Sequence, residues 1–221
     1  MNIEDDSKIL LKFGIISILI FLIIISLLIL NNNQINTAYI HQEYLDNEWF
    51  ENLEYRNVET QFLGLEKWIS IRYELKSNYT NYLIVTTIKT IVLFDEKELS
   101  NRIEDIIYSL LDKGTIIDEN SKISGERFLK NGHKSIYNTY EGVNTLEKQN
   151  EKVRIIAEIW NCGFDCKTII CLGYSQITDA LHNNMSISYE NWEKIVGDNK
   201  GTFVDSNYFR DDGLIYNTIC H

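Results

Sequence analysis

The residues Phe13–Leu30, FGIISILIFLIIISLLIL, form an unbroken apolar run, and they constrain this chain more than any other stretch. The only polar side chains in it are serines, which can bond back onto their own helix. As a helix rising ~1.5 Å per residue the run is roughly 27 Å long, close to the ~30 Å hydrocarbon core of a bilayer. Ile9–Leu11 extends it past Lys12, whose stem can snorkel to headgroups. The expectation is a transmembrane signal-anchor helix over 9–30, preceded by a cytoplasmic N-terminus, 1–8. Lys8 and Lys12 lie before the run and no Lys or Arg follows until Arg56. Basic residues near a span stay inside, so the N-terminus reads as cytoplasmic and everything after Leu30 as outside the cell membrane. A cleaved signal peptide is the rival. Its apolar region would be shorter, ~7–15 residues, and would end in an A-x-A-like site, which Thr37-Ala38-Tyr39 matches poorly.

The remainder divides into a spacer, 31–57, and one extracytoplasmic domain, 58–221, long enough for a real core. Asp and Glu number 32 against 21 Lys and Arg, a net charge of −11. That balance excludes nucleic acid and an anionic surface as natural partners. Proline is absent, so there is no proline-rich rigid linker.

Residues 61–75, QFLGLEKWISIRYEL, alternate apolar and polar around Trp68, Ile69, Ile71 and Tyr73, a strand pattern. Tyr82–Phe94 is β-branched and aromatic and reads as the strongest strand. Asp95–Lys113 is an amphipathic helix: Asp95 and Glu98 make a capping box, Leu99, Ile103, Ile106, Ile107, Leu110 and Leu111 form its stripe, and Gly114 stops it. Short strands follow at Thr115–Ile117, Arg127–Leu129 and His133–Tyr140, with a hairpin signal at Asn131-Gly132. In Val153–Trp160, Val153, Ile155, Ala157 and Ile159 face one way, Arg154 and Glu158 the other. Lys167–Ile177 is its antiparallel mate, Ser188–Val196 a short helix ended by Gly197, and Leu214–His221 a last strand. Strands, a capped helix, antiparallel strands and a second helix give an α+β domain, an antiparallel sheet with packed helices behind a transmembrane helix.

All four cysteines, Cys162, Cys166, Cys171 and Cys220, lie in the exported part, where thiols tend to pair. Pairing Cys162 with Cys166 across a hairpin end leaves Cys171 for Cys220; the alternative joins 162 to 220 and 166 to 171. A Cys₃His zinc set from Cys162, Cys166, Cys220 and His221 is a weaker rival, because its spacing is not that of a standard knuckle. The overall expectation is no metal, no cofactor and no catalytic residue. Asn78-Tyr-Thr and Asn184-Met-Ser are glycosylation sequons. His41, His133 and His182 stand apart in sequence, without a nucleophile motif. Asp198, Asp205, Asp211 and Asp212 crowd one acidic loop, without the spacing of an EF-hand.

The segment Gly125-Glu-Arg-Phe-Leu-Lys-Asn-Gly-His-Lys134, the aromatic strand ending at Tyr140-Glu-Gly142, Glu158-Ile-Trp-Asn-Cys162, Ile169–Ser175 and Leu214–His221 together resemble a group of uncharacterised archaeal membrane-anchored proteins. The strand–helix–strand order is also similar to the PsbP/Mog1-type sandwich. The resemblance implies a non-enzymatic extracytoplasmic binding or accessory domain and transfers no functional residue. The expected function is therefore a membrane-anchored module. Its partners are the bilayer, through the N-terminal helix, and an envelope protein or small-molecule ligand met at a patch around Trp49, Trp68 and Phe164. A structural envelope component pairing through its edge strand is another possibility. The enzyme alternative is an exported hydrolase or metal-dependent enzyme using His133 or the 198–212 loop.

Overall fold

A computed structural model describes residues 3–32, 35–61, 65–77, 80–111, 114–145, 151–163, 166–177, 185–197 and 213–220, with side chains excluded at 3–11, 27–32 and 185–189. The chain opens with helix α1, Ile3–Asn32. From Phe13 to Ile25 its side chains are apolar apart from Ser17, and Phe13, Ile18 and Phe21 stand among the exposed ones. Ser26 donates to the Leu22 carbonyl at 2.9 Å, as a serine in an apolar helix must. Among the described residues, however, no helix is long and apolar enough to cross a membrane. This corrects the transmembrane expectation.

The remainder is built on one antiparallel sheet. Its strands are β2 (Trp49–Gln61), β3 (Glu66–Leu75), β4 (Asn81–Lys89), β5 (Thr115–Phe128), β6 (Lys134–Asn144), β7 (Glu151–Cys162) and β8 (Lys167–Gln176). They run in the order β2-β3-β4-β8-β7-β6-β5. A separate ribbon pairs β1 (Tyr39–Ile40) with β9 (Thr218–Ile219). Among the residues described with their side chains, strand makes up 52% and helix 26%, so the α+β expectation is corrected to a domain that is mostly one large antiparallel sheet. The reason is local. Segments expected as turns or spacer are extended instead: β5 is one strand that runs through a register shift between Asp118 and Ile123, and β2 shifts between Asn52 and Asn57. Such bulges bend and twist long edge strands away from further pairing.

Helix α3, Glu96–Tyr108, covers β6, β7 and β8 on one face. Leu99, Ile103, Ile107 and Leu110 are buried there with Val153, Ile155, Ala157 and Ile159. Its N-cap is the expected one, with Asp95 accepting from the Glu98 amide at 2.8 Å. Asp95→Ala should cost about 1 kcal/mol, read from the urea unfolding midpoint; no change would mean that the cap adds nothing to the helix.

The opposite face is covered by helix α4, Met185–Val196, by the β1–β9 ribbon, and by the one-turn helix α2, Gln42–Leu45. Trp49, Trp160, Trp192, Ile195 and Ile215 fill it. Helix α4 packs on β8 closely because Gly173 has no side chain: a Cβ there would fall 2.6 Å from Ile195 Cγ2. Of the residues expected as a spacer, 38–57 thus pack as part of the domain. The Ala38 amide donates to Thr87 Oγ1 at 2.8 Å and the Ile40 amide to Tyr73 Oη at 3.0 Å, which straps this segment across the sheet.

Candidate functional site

The strap and the edge strand enclose an open cleft of about 530 Å³. Tyr39, Ile40, His41 and Gln42 line one side, Trp49, Phe50 and Glu51 the other, with Tyr73 and Lys76 between. The alternation of β2 carries Trp49 into the core, where it is buried, and leaves Phe50 partly open. Tyr73 lies on the floor. Burial pushes its hydroxyl up to about 12, so the group stays protonated at neutral pH and can donate while accepting from Ile40. Lys76 Nζ lies 5.6 Å from the Phe50 ring centre. Asp46 is turned to structure: its Oδ1 accepts from the amides of Glu48 and Trp49, and its Oδ2 pairs with Lys194 at 2.9 Å. His41 Nδ1 likewise accepts from the Glu43 amide, capping α2.

A second hollow of about 300 Å³ lies on the α3 face, lined by Trp68, Ser70, Ile84, Thr86, Ile106 and Leu172, among others. Beside it, Arg72 is sandwiched between the Tyr55 and Tyr82 rings at 4.5 and 4.2 Å, and Tyr82 stacks on Tyr174 at 4.9 Å. The two tryptophans expected to form one patch therefore line different hollows on opposite faces of the sheet. Trp49 points one way and Trp68 the other, as the two-residue period of strands requires. Phe164 lies outside the described residues.

The disulfide joins Cys162 to Cys220, with their Cα atoms 6.5 Å apart. Cys166 and Cys171 are thiols. The hairpin register explains why the preferred pairing fails: Cys162 sits opposite Lys167, not Cys166, which falls in the turn at φ 50°. Cys171 lies in the middle of β8, opposite Glu158, with its sulfur 3.9 Å from Thr218 Oγ1. Burial pushes its thiol far above the usual range, so it is a core side chain rather than a nucleophile.

His133 follows the turn at Leu129–His133, where Gly132 takes φ +80°. Its amide donates to Asn131 Oδ1 at 3.0 Å and its carbonyl accepts from the Leu129 amide at 3.0 Å. Its ring faces the disulfide: donor atoms of His133, Cys162 and Cys220 all lie within 4.8 Å of one another. The histidine proposed as a base is thus directed at sulfur. The sequons at Asn78 and Asn184, and His182, His221 and the 198–212 loop, lie outside the described residues. Among the described residues the donor cluster is His133, Cys162 and Cys220; His221 of the Cys162–Cys166–Cys220–His221 zinc set lies outside them. The notable missed feature is the cleft. Its sequence signal is the aromatic scatter of Tyr39, Trp49 and Phe50, too dense for a solvated spacer.

No family model, no curated protein and no solved structure matches this chain.

Proposed function

We propose that this is a binding module that works in an oxidising compartment beside lipid and takes a small polar ligand in the cleft under the strap. The observation that carries the reading is the make-up of that cleft: aromatic faces at Tyr39 and Phe50, a protonated Tyr73 hydroxyl, and Gln42, Asn47, Glu51 and Lys76 around it. Aromatic faces with convergent amides and a carboxylate suit a molecule having one apolar face and a ring of hydroxyls, such as a short neutral saccharide. The disulfide supports the compartment, because such bonds persist where thiols are oxidised. Helix α1 supports lipid as a neighbour, since its exposed residues from Phe13 to Ile25 need a cover other than water. The reading does not require α1 to reach the far leaflet.

A thermal-shift screen of neutral di- and trisaccharides against the intact chain in detergent should find a ligand. At about 100 times its Kd such a ligand adds ~2.7 kcal/mol, which raises Tm by roughly 5–10 °C in a chain of this size. Gln42→Ala and Lys76→Ala should halve that shift or better without lowering the Tm of the free protein. A screen that is flat throughout, or a shift equal in both variants, overturns the cleft reading. For the lipid part, the intact chain should float with neutral phosphatidylcholine vesicles and a chain lacking 1–32 should not; equal flotation sinks it.

A further inference from the structure

We propose that reduction of the Cys162–Cys220 disulfide converts this corner of the fold into a zinc site, held by Cys162 Sγ, Cys220 Sγ and a His133 ring nitrogen, with water in the fourth position. The inference is independent of the cleft and of its ligand.

The geometry is the first support. Three donor atoms of the N/S type that Zn²⁺ prefers lie within 4.8 Å of one another. In a tetrahedral site with bonds of ~2.3 Å to sulfur and ~2.0–2.1 Å to nitrogen, donors stand ~3.5–3.8 Å apart. Parting the two sulfurs to that spacing and drawing the ring in by up to ~1 Å completes three corners. The 6.5 Å between the cysteine Cα atoms lies at the wide end of the disulfide range, so the sulfurs can separate without a large backbone shift.

The surroundings are the second support. Cys162 is fixed at the end of β7, and Cys220 is carried beside it by the β1–β9 ribbon. Asn131, whose Oδ1 accepts from the His133 amide, directs its Nδ2 to the Thr218 carbonyl at 3.2 Å and to Cys220 Sγ at 3.8 Å. One side chain thus orients the histidine segment and contacts a ligand sulfur, the arrangement that outer-shell groups adopt at metal sites. The buried Lys167 ammonium donates to the Cys220 carbonyl at 3.1 Å, placing positive charge beside sulfurs that must become thiolates.

The chemistry balances with a thiol-class reductant. A dithiol gives two electrons and two protons to the disulfide, leaving two protein thiols and its own cyclic disulfide. Binding Zn²⁺ then releases one proton from each thiol, and the two thiolates neutralise the metal charge with a neutral imidazole as third ligand. A small-molecule disulfide reverses the step by exchange: it accepts two electrons from the thiolates and leaves as two thiols after taking up two protons, the protein S–S bond forms, and Zn²⁺ departs without ligands. The site is therefore exclusive: a covalent tie in oxidising surroundings, a metal tie in reducing ones, with both holding the C-terminal ribbon to β7.

The test uses the full chain, reduced with a phosphine and titrated with Co²⁺ and then Zn²⁺ against a chromophoric chelator. Reduced protein should bind one equivalent, with a thiolate-to-cobalt charge-transfer band, and oxidised protein should bind at least about tenfold more weakly. His133→Ala should cost the reduced protein at least about tenfold, because even outer-shell partners cost 10–100-fold, and Cys166→Ser should cost nothing. Should reduction unfold the chain, Zn²⁺ must restore the circular dichroism of the oxidised form. Binding indifferent to oxidation, binding unchanged in His133→Ala but lost in Cys166→Ser, or a reduced chain that neither binds Zn²⁺ nor refolds with it, each overturns the proposal.

Discussion

Glu158→Ala is expected to lower the unfolding free energy by about 3–5 kcal/mol, a large share of a single domain's stability. Glu158 is fully buried on β7, on the face beneath α4. Arg127 of β5 meets it twice, Nε to Oε1 at 2.8 Å and Nη2 to Oε2 at 2.6 Å. Ser135 Oγ donates to the same Oε1 at 2.6 Å, and Arg127 Nη1 reaches the Val196 carbonyl at the end of α4 at 2.8 Å. Removing the carboxylate leaves a buried guanidinium that cannot lose its proton and has lost its counter-charge. The attraction within an intact buried pair roughly offsets the desolvation of its charges, so the large effect belongs to breaking the pair. The double variant Arg127→Met with Glu158→Leu should therefore recover most of the loss. Urea denaturation of the single variants and the double checks both statements. A single-variant loss under about 1 kcal/mol would show that water reaches the site.

Cys162→Ser with Cys220→Ala should cost about 4 kcal/mol, the chain-entropy value for a bridge closing a loop of this length. The two cysteines are 58 residues apart. The effect should also be local. The bridge fastens the ribbon of β1 and β9 to β7, and the strap that walls the cleft passes through β1. Limited proteolysis should open 213–221 in the variant before it cuts the sheet, and the affinity of the cleft should fall with it. Cys166→Ser, at a half-exposed turn thiol, should move stability by less than ~0.5 kcal/mol. Equal unfolding midpoints for the double variant and the parent chain would show that the ribbon holds without the bond.

Several elements are legible in the sequence because their causes are local. Helix α3 begins where Asp95 can cap it, but it ends at Tyr108 with Ser109 as its C-cap, short of the expected Lys113, and Gly114 takes φ +78° only after a further turn. The turn at Asn131-Gly132 and the β7–β8 hairpin follow from turn chemistry and two-residue alternation. Other expectations failed because the deciding contacts are far apart. The sequence places Glu158 only on the side away from Val153, Ile155 and Ala157; that α4 covers that side too is decided by packing, and its partner lies 31 positions away. The packing of 38–57, within the expected spacer, was missed in the same way. Nothing near Ala38 or Ile40 announces that Thr87 and Tyr73 will accept their amides. The span expected of the N-terminal run is not met by the described part of α1.

What the amino-acid order determined by itself is the set of local elements: the apolar helix, the capped helix, the tight turns, and strands whose alternation selects their faces. Each rests on interactions within a few residues, so each can be read in a short window. The tertiary structure alone decided which cysteines bond, that Arg127 finds Glu158, that His133 faces sulfur, and that a polar-looking lead-in becomes the wall of a cleft. Those outcomes depend on strand order and on which segment covers which face. They are fixed by burial summed over the whole domain, which no window of sequence contains.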